Sequence, residues 1–205
     1  MTVFLTTDRM VLRPLTEADA DHLAALNSDP EVMRFLDGDG PPSPETVRTR
    51  ILPRLMRRWA WPGEHGYWAA ETADGKGAGG KGAGGGEFLG WFEFRPLDED
   101  AGGGGGDGGT VELGYRLRRA AWGRGLATEG ARALLRKGFT GLGVDRVTAT
   151  TMAVNVRSRR VMEKAGLRYV RTFHQDWPHP LPGSEHGEVE YALTAQEWRR
   201  EAPPA

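Results

Sequence analysis

Cysteine is missing from this chain altogether. Its absence excludes disulfides, a thiol nucleophile and cysteine-ligated metal, and it suits a reducing cytoplasm, which is the expected location. Long apolar runs are missing too. None approaches the roughly 18 residues of a membrane helix, and the opening MTVFLTTDRM has no signal-like apolar core. No membrane partner is therefore expected. With a formal net charge of −1 over 205 residues, the chain reads as one ordinary soluble domain, residues 1–205, long enough to bury a real core.

Glycine, in contrast, is in excess. Two tracts, 75–86 and 102–109, hold 15 of the 30 glycines. Such sequence cannot offset its ordering entropy by burial, so both tracts are expected to be flexible solvent loops between antiparallel strands. The first contains a decoy: Gly75 to Lys81 fits the opening of a P-loop. Gly82 stands where that motif needs Ser or Thr and no helix pattern follows, so nucleoside triphosphate binding is not assigned.

The informative stretch is 111–135. Val111, Leu113, Tyr115 and Leu117 alternate as one face of a strand, which runs into a Gly-Arg-Gly turn. A helix pattern follows, with Leu126, Gly130 and Leu134 in one row and Ala127, Ala131 and Leu135 in the next. The first N–H groups of a helix lack partners and sit at the positive end of its dipole, so this junction favours an anion. Gly123 and Gly125 keep side chains out of the way, and Arg118, Arg119 and Arg124 add full charges. A dinucleotide fingerprint would need a third glycine where Thr128 stands, so that reading fails.

From Tyr115 to Arg171 there are 14 Lys and Arg against three acids, a local excess of 11 in a chain of net charge −1. Solvated helix faces explain any single arginine. The asymmetry as a whole suits a polyanionic ligand. Nucleic acid is not expected, since the rest of the chain is acidic and no RNA-type aromatic stacking motif is present.

Along the chain, Met10 to Arg13 reads as a strand closed by Pro14. Thr16 caps a helix with Ala20, Leu23 and Leu26 inward, and Asp29-Pro30 starts another with Val32, Met33 and Leu36 inward. A third helix is expected from Ser43-Pro44 to about Trp59, interrupted at Pro53. Strands follow at 66–72, 88–95, 146–151, 167–173 and 188–193, with a helix over 155–164 stopped by Gly166. Thr194 and Glu197 have capping-box spacing. Single helices between so many strands imply a mixed α/β sheet, mostly antiparallel, with helices on both faces.

The run WGRGLATEGARALL, followed after a strand by NVRSRRVMEKAGLRYV, closely resembles the acyl-CoA signature of the GNAT superfamily of acyl-CoA-dependent N-acyltransferases, in particular the branch with ribosomal-protein N-terminal acetyltransferases. The superfamily pattern Gln/Arg-x-x-Gly-x-Gly/Ala falls on Trp122 to Ala127, with Trp122 in place of Gln or Arg. The likeness extends from about Thr7 to Trp198. It implies a GNAT-like fold and acetyl-CoA as cosubstrate with no metal. The activity implied is acetyl transfer to a primary amine, on a small molecule or a protein N-terminus, by direct attack in a ternary complex. It also carries the expectation of a homodimer, since the last strands often mediate dimers in this family.

By that resemblance the strand holding Glu112 to Leu117 parts from its neighbour and the pantetheine arm lies in the gap. Leu117, Arg118 and Arg119 are expected to face the arm, with Trp122, Gly123, Arg124, Gly125, Leu126, Ala127 and Thr128 around the pyrophosphate. Asn155 matches the family's pantetheine-contacting asparagine, with Ser158 one turn on; the plainer role of Asn155 is a helix N-cap, and the two are compatible. Removing a proton from an alkylammonium, whose pKa is about 10.4, needs a base. Glu112 is the candidate, against a plain exposed carboxylate. Strict alternation sets Glu112 and Tyr115 on opposite faces unless Gly114 forms a bulge. A free strand N–H is expected to hold the oxyanion. The family tyrosine that protonates the leaving thiolate falls on Met162 here, so Ser158, with Tyr115 behind it, is the replacement. That missing tyrosine also keeps a second class open: a non-catalytic acyl-CoA sensor.

Two other groups invite a functional reading. His174, His179 and His186, with Asp176 and Glu185, match no zinc spacing and read as a substrate-side loop. Trp91 and Glu93 share a strand face and are either acceptor lining or, for the tryptophan, simple core.

Overall fold

A computed structural model describes residues 2–36, 40–59, 64–73, 85–97, 109–175 and 180–201. The P-loop-like run, most of both glycine tracts and residues 176–179 of the histidine segment lie outside them. Nine strands join in one sheet: β1 (Leu5–Thr6), β2 (Met10–Pro14), β3 (Arg58–Trp59), β4 (His65–Thr72), β5 (Phe88–Pro96), β6 (Thr110–Leu117), β7 (Arg146–Met152), β8 (Arg168–Phe173) and β9 (Glu188–Thr194). Their order is β1-β2-β4-β5-β6-β7-β9-β8, with β3 beside β4. Every neighbouring pair is antiparallel except β6 and β7.

Alternation along the strands divides the core between the two faces. On one face α5 (Leu126–Gly141) and α6 (Val156–Ala165) cover Phe92, Phe94, Val111, Leu113 and Leu117. On the other, α1 (Ala20–Ser28), α2 (Pro30–Met33), α3 (Pro44–Thr46) and α4 (Leu52–Leu55) surround Tyr67, Ala69 and Trp91. The last helix, α7 (Ala195–Glu201), begins with the anticipated capping box: Thr194 N–H donates to Glu197 at 2.9 Å and Glu197 N–H to the Thr194 hydroxyl at 3.2 Å.

Two expectations need correction, and one open alternative is decided. The helix from Ser43 does not reach Trp59. It passes from α3 through a π turn at Val47–Ile51 into α4 and stops at Leu55. Pro53 has no N–H to give and its ring crowds the preceding turn, which accounts for the widened turn just before it. Leu36 is 43% exposed instead of inward, because α2 ends at Met33 and the helical register is lost before it. Gly114 forms no bulge, for β5 and β6 pair without a break from Gly90–Leu117 to Pro96–Val111. Strict alternation therefore holds, and Glu112 and Tyr115 do face opposite sides.

Helix α5 lies close on the sheet because of a missing side chain. A methyl group on Gly130 would overlap the ring of Phe92, which is fully buried. Gly130→Ala is expected to cost about 1–3 kcal/mol by overpacking, even though alanine is the better helix former. A urea titration showing no loss of stability would mean that α5 tolerates a wider spacing.

Candidate active site

The opening in the sheet follows from hydrogen-bond phase. Leu97 N–H donates to Thr110 C=O and Arg118 N–H to Leu89 C=O, at 3.1 and 2.9 Å. The even-numbered residues of β6 therefore turn their backbone groups to β5, and the odd-numbered ones turn theirs toward β7. Pairing with β7 covers only Thr110–Arg146, Val111–Val147 and Glu112–Thr148. Past that point the strands part, and the N–H groups of Tyr115 and Leu117 point into the gap with no strand partner among the described residues. The Leu117 carbonyl is capped by the indole of Trp122 at 2.7 Å.

The chain leaves β6 at the wide end of the gap and turns into α5. Gly123 and Gly125 have φ of 72° and 79°, left-handed backbone that favours glycine. Gly125 is the N-cap of α5 and offers no side-chain cap, so the first-turn amides of Leu126, Ala127 and Thr128 remain for an outside anion. Arg119 and Arg124 have no ion-pair partner among the described residues. Arg118 differs: its guanidinium pairs with Glu87, and burial followed by the nearby Arg124 charge holds its pKa below the usual value. Arg157 lies over the Trp122 ring at 5.3 Å. Such a set fits a diphosphate.

Sequence reasoning missed the support beneath this turn. Arg9 donates to Glu129 from Nε at 2.6 Å and to the Arg124 carbonyl from Nη1 at 2.8 Å, and Thr7 donates to Glu129 at 2.7 Å. The hairpin of β1 and β2 is thereby tied to the first turn of α5. Over 100 residues separate the partners, and no local pattern signals them.

At the start of α6 three expected residues meet. Asn155 is the N-cap, its Oδ1 accepting from Ser158 N–H at 3.3 Å while Nδ2 donates to the Thr151 hydroxyl at 3.1 Å. The Tyr115 hydroxyl donates to the Ser158 carbonyl at 3.1 Å and lies 3.0 Å from its Oγ. Burial pushes the Tyr115 phenol up to about 12. Met162, at the family tyrosine position, is core, 2% exposed.

Glu112 is not part of that group. It stands on the opposite face, level with the last paired residue, and accepts from Arg95 Nη2 at 2.6 Å. Arg95 also pairs with Glu93, whose Oε1 accepts from the Tyr67 hydroxyl at 3.2 Å. Burial, then the neighbouring Glu112 charge, raises the Glu93 pKa above the usual carboxylate value. Beyond these lie Trp91, with Arg116 over its ring at 5.1 Å, and Asn27, which accepts from Arg116 at 2.7 Å. Glu93 lies half-buried on this side, whereas Trp91 is 8% exposed and packs in the core, the plainer of its two expected roles. Among the described residues no cluster of metal-ligating side chains occurs, and no helix is long and apolar enough to cross a membrane.

A parallel strand pair that opens beside a glycine turn leaves a slot whose mouth, an uncapped helix start, favours an anion. The model of the acetyltransferase (GNAT) domain matches residues 9–168, and this chain belongs to that family. Among its relatives is the FsC-acetyl coenzyme A-N(2)-transacetylase of Aspergillus fumigatus, 33% identical over 201 residues, 98% of this chain and 80% of the relative. The putative ribosomal N-acetyltransferase YdaF of Bacillus subtilis is 24% identical over 95% of this chain and 96% of its own. Among solved structures, the ribosomal L7/L12 alpha-N-protein acetyltransferase RimL with coenzyme A superposes with a TM-score of 0.70 at 16% identity, covering 96% of this chain and 99% of RimL. That likeness shows the fold.

Proposed function

We propose that the protein transfers the acetyl group of acetyl-CoA to a primary amine, by direct attack within a ternary complex. The observation that carries this reading is the gap past Glu112–Thr148, with free N–H groups on β6 and an uncapped helix start at its mouth. The transacetylase relative supports it by name, since that enzyme acts from acetyl coenzyme A on an N(2) nitrogen.

In this reading the pantetheine arm lies between β6 and β7, bonded to Leu117 N–H and, at α6, to the second Nδ2 hydrogen of Asn155. The diphosphate sits on Gly123 to Thr128 with Arg119 and Arg124. Tyr115 N–H stabilises the oxyanion. The carboxylate pair Glu93–Glu112 takes the ammonium proton on the acceptor face, the side enclosed by α1 to α4. The Ser158 hydroxyl, held in place by the Tyr115 hydroxyl 3.0 Å away, serves the leaving sulfur as hydrogen-bond donor. Full transfer from a phenol at about 12 to a thiolate of ordinary pKa, about 8.5, is uphill by roughly 5 kcal/mol, so the sulfur's proton comes finally from solvent. No acyl-enzyme forms, and trapping of a labelled acetyl group on the protein without an amine would contradict this.

Thermal unfolding with acetyl-CoA, NADH and ATP tests the reading. At 100 times its Kd a ligand adds about 2.7 kcal/mol, which at this size is a rise of roughly 5–10 °C. The rise is expected with acetyl-CoA and not with the other two, followed by thiol release when amines are added. A rise with acetyl-CoA but no thiol release across a broad amine panel would favour the sensor reading. No rise would remove the cofactor assignment.

A further inference from the structure

We propose that Glu93 is the group that receives the acceptor's proton, with Arg95 and Glu112 as positioning residues that set its basicity. The inference rests on the acyl-transfer reading above and divides the roles within its carboxylate pair.

Position is the first argument. Glu112 is level with Thr148, where β6 and β7 are still paired. Glu93 is opposite Gly114, two residues further along β6, about 7 Å toward the open part of the gap. The absence of a side chain on Gly114 makes this placement workable: a Cβ there would lie 2.7 Å from Glu93 Oε2. The Glu93 carboxylate therefore rests over the strand whose Tyr115 N–H is assigned to the oxyanion.

The two oxygens of Glu93 are used differently. Oε1 of Glu93 accepts from Tyr67 and Arg95. Oε2 has no donor among the described residues, and the side chain keeps 13% exposure, so this oxygen can meet an ammonium hydrogen. Glu112, 20% exposed, is at the other end of the same guanidinium.

Chemistry then separates the pair. Two carboxylates that share one arginine in a half-dry site cannot both be fully stabilised as anions, and the more buried one becomes the stronger base. The other titratable group facing Glu93 is Tyr67 from β4, on which Arg54 of α4 acts in turn; Arg116 of β6 lies over Trp91 and Arg57 over Trp59. The direction of the Glu93 shift agrees: burial leads, and the Glu112 charge adds to it. The step balances simply. One N–H bond of the ammonium breaks as an O–H bond forms on Glu93 Oε2. The neutral amine then forms the C–N bond, the C–S bond breaks, and a second amine proton leaves, so that amide, free thiol and one proton result.

The test uses the full chain with acetyl-CoA and glycinamide as amine probe, following thiol release against pH. Glu93→Gln is expected to lower kcat/KM by about 10²–10⁴-fold and to abolish the acid limb of the profile. Glu112→Gln is expected to keep the limb but move it to lower pH, since the neighbouring charge is gone. Glu93→Asp retains a carboxylate and should keep the limb at reduced rate, which separates loss of the base from misfolding. In parallel, carbon-13 NMR of protein labelled at glutamate carboxyls should show two groups titrating above the ordinary 4.5, the buried Glu188 and a second that is absent in Glu93→Gln and shifted down in Glu112→Gln. Removal of the acid limb by Glu112→Gln while Glu93→Gln keeps it would overturn the proposal, as would the lack of a raised carboxyl that Glu93→Gln removes. A wild-type protein that binds acetyl-CoA yet releases no thiol with any amine would sink the transfer reading itself, a different result from the NMR order of the two carboxyls.

Discussion

Asp19→Ala is expected to destabilise the protein by about 3–5 kcal/mol, a fall of roughly 6–20 °C in Tm at this length. Arg13, Asp19 and Glu71 are all almost completely buried, with 1%, 0% and 2% exposure. Arg13 donates to both Asp19 oxygens at 2.8 and 2.6 Å and to Glu71 from Nε at 2.7 Å. Asp19 also accepts from Thr16 N–H at 2.8 Å, closing the turn that leads into α1. Removing Asp19 leaves a cation in a dry place with half its partners gone. Such an interaction is costly to break and contributes little net stability when intact, so replacing all three members by apolar residues of similar volume is expected to cost far less than the single change. A triple variant as unstable as Asp19→Ala would show that the network itself, and not the orphaned charge, holds the fold.

The pH dependence has a definite sign. Burial opposes ionisation of Asp19, but the bonds from Arg13 and Thr16 outweigh it and hold the folded pKa below the ordinary 3.8. The stability this group contributes is therefore fully present above about that value and is lost as pH falls through the lower folded pKa. The gap between wild type and Asp19→Ala should be constant from pH 7 to 5 and narrow below 4. Glu93 works in the opposite direction. Its raised folded pKa favours the folded state fully below the ordinary value, and that contribution fades as pH rises through the shifted one.

Gly125→Ala is expected to weaken acetyl-CoA binding about 10–100-fold. Charge-assisted hydrogen bonds contribute about 1.5–3 kcal/mol each, and each 1.4 kcal/mol is roughly tenfold in Kd, so the estimate equals the loss of about one amide contact. The residue has φ of 79° and caps α5; an L side chain there costs about 1–2 kcal/mol and tilts the first-turn amides to relieve it. Gly166→Ala is the control. It has φ of 108° at the C-cap of α6, so the strain is similar, yet it is at the far end of α6 from Asn155 and is no part of the glycine turn. Calorimetric titration should show a changed Kd for the first and not for the second. Equal weakening by both would assign the effect to general destabilisation.

Much of this was legible in the amino-acid order. The strand-turn-helix at 111–135 was readable because alternation and helical periodicity are local, and because Gly123 and Gly125 mark a backbone that other residues avoid. The caps at Thr16, Asn155 and Thr194 were readable for the same reason. Alternation alone set Glu112 and Tyr115 on opposite faces. It left Gly114 as a place where that rule might break, and only the unbroken pairing of β6 with β5 decided the matter. Everything that depends on partners far apart in the chain was out of reach. The Arg9–Glu129 tie, the Tyr115–Ser158 contact and the Arg95 bridge between Glu93 and Glu112 are formed across strands or between sheet and helix. Which of two carboxylates becomes the stronger base is a matter of burial and neighbouring charge. The residue types supplied the chemistry, and the tertiary structure ordered it.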